Sequence, residues 1–409
     1  MMSSPIEHSS QSVCGISHGY DVHASAHSHS RVRRAGKVLL LGRDLVGGGV
    51  EKFLCRMAGI LSAAGYEPVL ALFNETAVPA ECLPLRRYDL KKRRPWDNVR
   101  AIARLARIID HEAPDILFAV DTPLVWRASE ALRFCRHSPY VIARVANNPC
   151  ICETGWRAMW AKRAYRSTDL FIANSKGLAI GFTTLYPTVS SRIRVCYDPT
   201  DFQRIRYLAC EPTGDERQPG FMLTAVGRIC SQKRYDVLVD AMAEVVRQAD
   251  VRLTICGDGP DRANIEARAA ALRLGDRVRL LGHVENPYPW MAAADAVVLT
   301  SDYEGLPNVL AEAQCLGRPI VATNCPYGVD EVVEDGRTGF LAEAGDVAGV
   351  AAGILRLVAN PELALALGRE GQARAENQFS LEAASGAYFE LFDAALRRVT
   401  DTAGGLTKQ

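Results

Sequence analysis

No stretch of this 409-residue chain holds the roughly 18 consecutive apolar residues that a membrane-spanning helix needs. The chain does not open with the charged-then-apolar pattern of a secretory leader. Its twelve cysteines are scattered singly. Cys150 and Cys152 stand too close together for a usual zinc pair, and Cys196 and Cys256 sit within apolar strand-like runs as small hydrophobes. A spanning helix and a disulfide framework are therefore excluded, and a reduced, cytosolic compartment is the expectation. Histidine is scarce where chemistry would need it. Five of the eight lie in the first 35 residues (His8, His18, His23, His27, His29), leaving His111, His137 and His283. Cys325 thus has no histidine near it in sequence and reads as structural rather than nucleophilic. The dinucleotide fingerprint G-x-G-x-x-G is also missing.

What is present is ordinary in bulk and uneven in detail. Apolar residues at 48% and charged residues at 23% exclude wholesale disorder. The length exceeds the roughly 250–300 residues at which one core stops growing, so two domains are expected. The net charge of +1 conceals an asymmetry. Through Cys210 there are 29 Lys+Arg against 18 Asp+Glu, a net of +11, and from Glu211 onward 19 against 29, a net of −10. One domain is expected to face something anionic.

Residues 1–35 are rich in serine and histidine without apolar periodicity, and are expected to form a disordered leader. From Lys37 short apolar runs alternate with amphipathic helices. Strands are expected at Val38–Leu41, Pro68–Phe73, Asp115–Val120, Tyr140–Val145, Asp169–Ala173 and Arg192–Val195, with helices at Val50–Ala64 and Asn98–His111. After the polar segment Glu211–Gly220 the alternation restarts, with strands at Phe221–Val226, Arg252–Cys256, Val278–Leu281, Ala296–Thr300 and Pro319–Thr323. Such alternation predicts parallel sheets covered on both faces, hence two doubly wound Rossmann-like domains: 36–200, a linker at 201–219, and 220–378, followed by a helix from 379 crossing back. Ligands of such sheets bind where strands end and helices begin.

Four such loops carry suitable residues. Gly47, Gly48 and Gly49 precede a helix and let backbone approach a ligand; alone they equally suit a tight turn. Arg228 at a strand tip and Lys233, expected in a helix's first turn, can converge on one anion, which would explain a lysine at the wrong end of a helix dipole. In Glu304-Gly305-Leu306-Pro307, the proline suits a helix start and places the Gly305 and Leu306 amides toward the cleft. Glu312 follows on that helix's second turn. Two carboxylates flanking an anion-binding helix end suit a nucleotide sugar, one for the sugar and one for the ribose. The fourth loop is Cys325-Pro326-Tyr327-Gly328.

The segment Glu304–Glu312 resembles the E-x7-E motif of the retaining glycosyltransferase family 4, whose fold is GT-B. Gly227-Arg228 with Gln232-Lys233, Gly257-Asp258-Gly259-Pro260, Gly282–Tyr288 and the Cys325 loop follow in matching order. The resemblance implies that Arg228 and Lys233 neutralise the donor diphosphate and that Glu304 contacts the transferred sugar. It further implies that Gly305 and Leu306 bind a phosphate, Glu312 the ribose, and that Gly47 and Gly48 approach the donor from the other domain. It implies no cofactor and no metal, in keeping with the lack of an Asp-x-Asp at a strand end. Retention would then proceed by same-face attack without a dedicated base. Where family members often carry a histidine, this chain has Ala143–Pro149, so Arg144 and Asn147 are expected on the sugar or acceptor. Asp198 stands where an asparagine is common.

Finally, Arg86-Arg87, Lys91–Arg94 and Trp96, with the aromatic and cationic helix Trp156–Arg166, suit an anionic membrane surface, or equally a solvated helix with its aromatics in the core, and do not carry a nucleic-acid signature. The expected partners are a nucleotide sugar and a saccharide or lipid-linked acceptor at the cytoplasmic face of a membrane. The competing readings are a catalytically silent relative and a sugar epimerase; the latter would need a water-activating acid–base set, which is not found.

Overall fold

The strand–helix alternation that begins at Lys37 builds two parallel sheets in succession. The structure, a computed structural model, describes residues 36–45, 48–74, 82, 84–92, 94–147, 156–214 and 218–405. The expected leader lies outside the described residues.

The first sheet contains β1 (Lys37–Gly42), β2 (Glu67–Leu72), β3 (Arg86–Asp89), β4 (Ile116–Ala119), β5 (Tyr140–Val145), β6 (Leu170–Ala173) and β7 (Ile193–Val195). All pair in parallel in the order β3-β2-β1-β4-β5-β6-β7. Between them run α1 (Gly49–Ala63), α2 (Asn98–Glu112), α3 (Thr122–Leu132), α4 (Trp156–Arg166) and α5 (Lys176–Leu185). From β1 the chain moves to one side through α1, and from β3 onward to the other, so right-handed crossovers put α1 on one face and α2–α5 on the opposite face. β1, β2 and β4 are almost wholly buried, as strands covered on both faces must be.

After α6 (Phe202–Leu208) the second sheet contains β8 (Phe221–Val226), β9 (Val251–Cys256), β10 (Val278–Gly282), β11 (Ala296–Leu299), β12 (Ile320–Asn324) and β13 (Gly339–Glu343), in the order β10-β9-β8-β11-β12-β13. Its helices are α7 (Tyr235–Val245), α8 (Arg262–Ala271), α9 (Tyr288–Ala293), α10 (Asn308–Cys315), α11 (Val329–Val332) and α12 (Val347–Ala359). Alternate residues of β11 enter different cores, Ala296 and Val298 on one face, Val297 and Leu299 on the other.

Two segments join the domains. Thr200 donates to the Phe379 carbonyl at 2.8 Å, where the chain leaving the first domain runs beside the end of α13 (Pro361–Phe379). The last helix, α14 (Leu381–Gly405), then returns to the first core, where Tyr388 lies 5.9 Å from Phe53 and Phe392 5.4 Å from Phe118.

Three local expectations need correcting. The helix after Gly227 begins at Tyr235; Ser231–Lys233 form a 3-10 turn, and Arg234 turns the chain with φ 48°. β3 was read only as a cationic stretch, yet it pairs with β2, and Arg86 is bound to the buried Glu112 at 2.8 Å. The edge strand β13 carried too short a signal to be placed.

Candidate active site

On the second domain, three strand-end loops close around one carboxylate. Lys233 Nζ donates to Glu304 Oε1 at 2.6 Å, and Ser301 Oγ donates to the same oxygen at 2.6 Å. Ser301 is itself held by Thr323 Oγ1, which donates to its carbonyl at 2.7 Å. The Glu304 amide donates to the Pro326 carbonyl at 3.0 Å, and Gln232 Nε2 donates to the Tyr303 carbonyl at 2.9 Å. Glu304 is therefore fixed by one oxygen, while Oε2 has no partner among the described residues. Arg228 is exposed at the tip of β8 and forms no ion pair with a described residue. The site thus contains one cation already paired and one unspent.

Helix α10 starts one residue later than expected, with Pro307 just outside it. The first N–H groups of such a helix have no partner within it, so its start is an anion-binding end. Gly305 explains its own side chain's absence: a Cβ there would stand 2.2 Å from the Ala146 carbonyl of the first domain. The loop before α10 and the opposite domain are thus in backbone contact.

Glu312 lies one helical turn and more beyond, 7% exposed. Tyr288 donates its hydroxyl to Glu312 Oε1 at 3.3 Å, and Lys52 of α1 lies 5.8 Å from the Tyr288 ring centroid. Burial raises the Glu312 pKa above the ordinary 4.5, while the charges of Lys52 and Arg56 and the Tyr288 bond pull it back. The carboxylate is thus sunk against cations of the opposing domain, Lys52 and Arg56.

The first domain supplies the other wall. Gly48 is the exposed N-cap of α1, and Gly47 lies outside the described residues. Asn147 is exposed just past β5. Arg144 is a correction. It is 2% exposed, with Nε donating to Asp198 Oδ1 at 3.1 Å, Nη2 to Oδ2 at 2.5 Å, and Nη1 to the Val120 carbonyl at 3.3 Å. Its guanidinium also stacks 3.9 Å from the Phe53 ring centroid. A cation so enclosed presents no exposed donor to a sugar; it neutralises Asp198, which is fully buried where the chain changes domain. Asp198 Oδ2 also accepts from Asn174 at 3.4 Å and from Asn308 of α10 at 3.3 Å. The aspartate that departs from the common asparagine thus carries its own counter-charge 54 residues away.

A second clasp joins the domains. Ser175 Oγ donates to the Tyr327 carbonyl at 2.5 Å, and Tyr327 (φ 126°) lies along α5 where Gly177 and Gly181 leave room. A Cβ on Gly177 would stand 2.8 Å from the Tyr327 carbonyl oxygen, and one on Gly181 2.6 Å from its ring. Glu331 completes it, accepting from the Gly177 amide and from the Tyr197 hydroxyl, each at 2.9 Å. The loop carrying Tyr327 is the one that holds the Glu304 amide.

Two family profiles match the two halves in turn. One, described as Glycosyltransferase Family 4, spans residues 47–204, and one described as Glycosyl transferases group 1 spans 220–360. The chain belongs to the family 4, group 1 glycosyltransferases. Among relatives, the lipopolysaccharide core biosynthesis glycosyltransferase LpsE of Rhizobium meliloti is 28% identical over 361 residues, covering 86% of this chain and 96% of that one. The N-acetylgalactosamine-N,N'-diacetylbacillosaminyl-diphospho-undecaprenol 4-alpha-N-acetylgalactosaminyltransferase of Campylobacter jejuni is 27% identical over 212 residues, 52% of this chain and 57% of that one. LpsD of Rhizobium meliloti and the N-acetyl-alpha-D-glucosaminyl L-malate synthase of Bacillus anthracis are spanned over 49% and 43% of their lengths. Among solved structures, Anabaena HepE with UDP and glucose superposes with a TM-score of 0.75 at 20% identity, covering 88% of this chain and all of that one. Its fold, GT-B, is the fold seen here.

In this glycosyltransferase the residues that sequence reasoning missed are Ser301, Tyr288, Lys52 and Arg56. Ser301 was legible only as the start of the Glu304 loop. The other three act across distances no local pattern records: Lys52 and Arg56 look like ordinary helix cations until the domains meet. The expected cationic surface is also smaller than its sequence. Arg86 is spent on Glu112, while on α4 the described side chains Ala164 and Tyr165 enter the core and Met159, Trp160, Lys162 and Arg163 stay outside.

Proposed function

We propose that this glycosyltransferase transfers a sugar, with retention, from a nucleoside diphosphate sugar to a saccharide or lipid-linked saccharide, in the assembly of a surface polysaccharide or glycolipid at the cytoplasmic face of a membrane. The observation that carries it is the Lys233–Glu304 pair at 2.6 Å beside the start of α10. In this reading the donor diphosphate draws Lys233 off Glu304 and meets Arg228 and the Gly305 and Leu306 amides. Glu304, still steered by Ser301, then accepts from the sugar hydroxyls, and Glu312 from the ribose. As the sugar C1–phosphate oxygen bond breaks, the acceptor oxygen bonds C1 on the same face. Its proton passes to the departing phosphate oxygen, and the two cations and the helix end hold the charge that develops there. This assigns diphosphate neutralisation to the protein's own groups, so transfer should persist without a divalent ion.

The surface-polysaccharide setting draws on LpsE and the Campylobacter transferase, whose names place them in lipopolysaccharide core synthesis and on an undecaprenol-linked acceptor. The UDP and glucose of HepE put uridine nucleotides first among donors to try. A thermal-shift panel of uridine, guanosine, adenosine and cytidine diphosphates in EDTA tests the reading. A ligand at about 100 times its Kd adds roughly 2.7 kcal/mol of stability. A rise with one base, lost in Glu312→Ala, supports it; no rise with any base counts against it.

A further inference from the structure

The helices α2 and α4 lie on the same face of the first sheet, and in a parallel sheet both begin at the edge from which the cleft opens. At those two starts the protein leaves large apolar side chains in water. Trp96 and Val99, at the entry to α2, are 70% and 76% exposed; Met159 and Trp160, in the first turns of α4, are 65% and 40% exposed. α3 is tied to the first residue of α2 through Arg127 and Asn98 at 3.3 Å and to the residue after α4 through Ser129 and Ser167 at 3.0 Å. No described element covers these four side chains.

Cations surround them. Arg94 stacks 5.5 Å from the Trp96 ring centroid, and Arg100 is exposed on α2. Lys162 and Arg163 are exposed next to Trp160. Exposed tryptophan beside arginine and lysine has one apolar end and one charged end, which suits the boundary between lipid headgroups and acyl chains. Elsewhere on this domain some cations are matched, Arg86 by Glu112 and Arg133 by Glu130. Here Arg94, Arg100, Lys162 and Arg163 form no ion pair with a described residue and stand beside the apolar groups.

We propose that the starts of α2 and α4 form a docking face for an anionic lipid bilayer, with Trp96, Val99, Met159 and Trp160 entering the headgroup region and the flanking cations holding lipid phosphates. The face adjoins the cleft rim, so a lipid-linked acceptor would reach the first-domain wall without leaving the membrane. This deepens the proposed function and rests on it for the acceptor alone.

The test is co-sedimentation of the full chain with vesicles of phosphatidylcholine containing or lacking phosphatidylglycerol, at low and high salt. Binding is expected only to the anionic vesicles, weakened by salt. Replacing one flanking cation by glutamine should weaken it about fivefold, and Trp96→Ser with Val99→Ser should weaken it at least as much. Both variants should keep the nucleoside-diphosphate thermal shift, which shows that they fold. Absence of vesicle binding with that shift intact would overturn the docking face and leave the donor site standing. Binding abolished by salt yet indifferent to Trp96→Ser and Val99→Ser would also overturn it, as adsorption by charge alone. Vesicle binding with no shift for any nucleotide would uphold the face and remove the proposed function.

Discussion

The Arg144–Asp198 pair of the first domain and the Lys233–Glu304 pair of the second differ in burial, in number of bonds and in how much of the carboxylate is left open. In the first, Arg144 and Asp198 meet through two bonds, both groups are 0–2% exposed, and Asn174 and Asn308 take up what remains of the carboxylate. In the second, Lys233 and Glu304 meet through one bond at the cleft, with Glu304 Oε2 left open. A planar guanidinium in a bidentate fork is built to stay; a lysine on a flexible stem is built to leave. The first pair fixes where the chain changes domain, and in the proposed function the second opens to a ligand.

The comparison breaks most directly at Arg144. Arg144→Ala strands Asp198 as a buried, uncompensated charge and should cost about 3–5 kcal/mol of unfolding free energy in denaturant titration. Replacing both partners with apolar residues should cost much less. If Arg144→Ala instead left stability intact and abolished acceptor use, the residue would be a ligand contact after all.

Lys233→Ala should do the reverse. Turnover should fall roughly 100- to 1,000-fold, the loss typical of removing one charge-stabilising donor. Stability should change little, because Glu304 keeps Ser301 and borders the cleft.

A third effect separates fixed from functional charge by pH. Asp121 caps α3, accepting from the Thr122 amide at 2.9 Å, and its carboxyl is pushed up to about 6 from 3.8 by burial, against the pull of Arg144 and Arg43. A raised carboxyl pKa favours the protonated form when folded, so the folded state loses stability as pH rises from about 4 to about 6. Over that window the loss is about 3 kcal/mol. Asp121→Asn keeps a good cap and should flatten that slope, read as melting temperature against pH. A slope unchanged in the variant would place the titration elsewhere.

The smallest effect tests the clasp between the domains. Gly177→Ala forces a Cβ against the Tyr327 backbone and should cost about 1–3 kcal/mol, with a raised donor KM. Gly181→Ala meets only the Tyr327 ring and should cost less. Equal costs would mean that the loop, rather than the ring, yields.

How much of this was legible depends on distance along the chain. Glu304, Gly305 and Glu312 lie within nine residues, so one helix start relates them and the motif could be read directly. The buried apolar strands were legible for the same reason, since each carries its own signal. β3, with sequence Arg-Arg-Tyr-Asp, has no apolar alternation and exists because β2 offers an edge. Arg144 was misread as a ligand contact because its partner, Asp198, is 54 residues away, and a buried arginine cannot be told from a binding one without that partner. Lys233 was found, but its place in a 3-10 turn and its hold on Glu304 depend on three loops meeting. Chemistry contained in one loop could be read; chemistry assembled by closure of two domains could not.

The most direct test of the account is transfer or hydrolysis of labelled nucleotide sugars in EDTA by the wild type and by Lys233→Ala, with melting temperature measured on the same samples. The account predicts turnover in EDTA that falls at least 100-fold in the variant while the melting temperature stays nearly unchanged. Turnover unaffected by Lys233→Ala, or lost only because the variant unfolds, would contradict it.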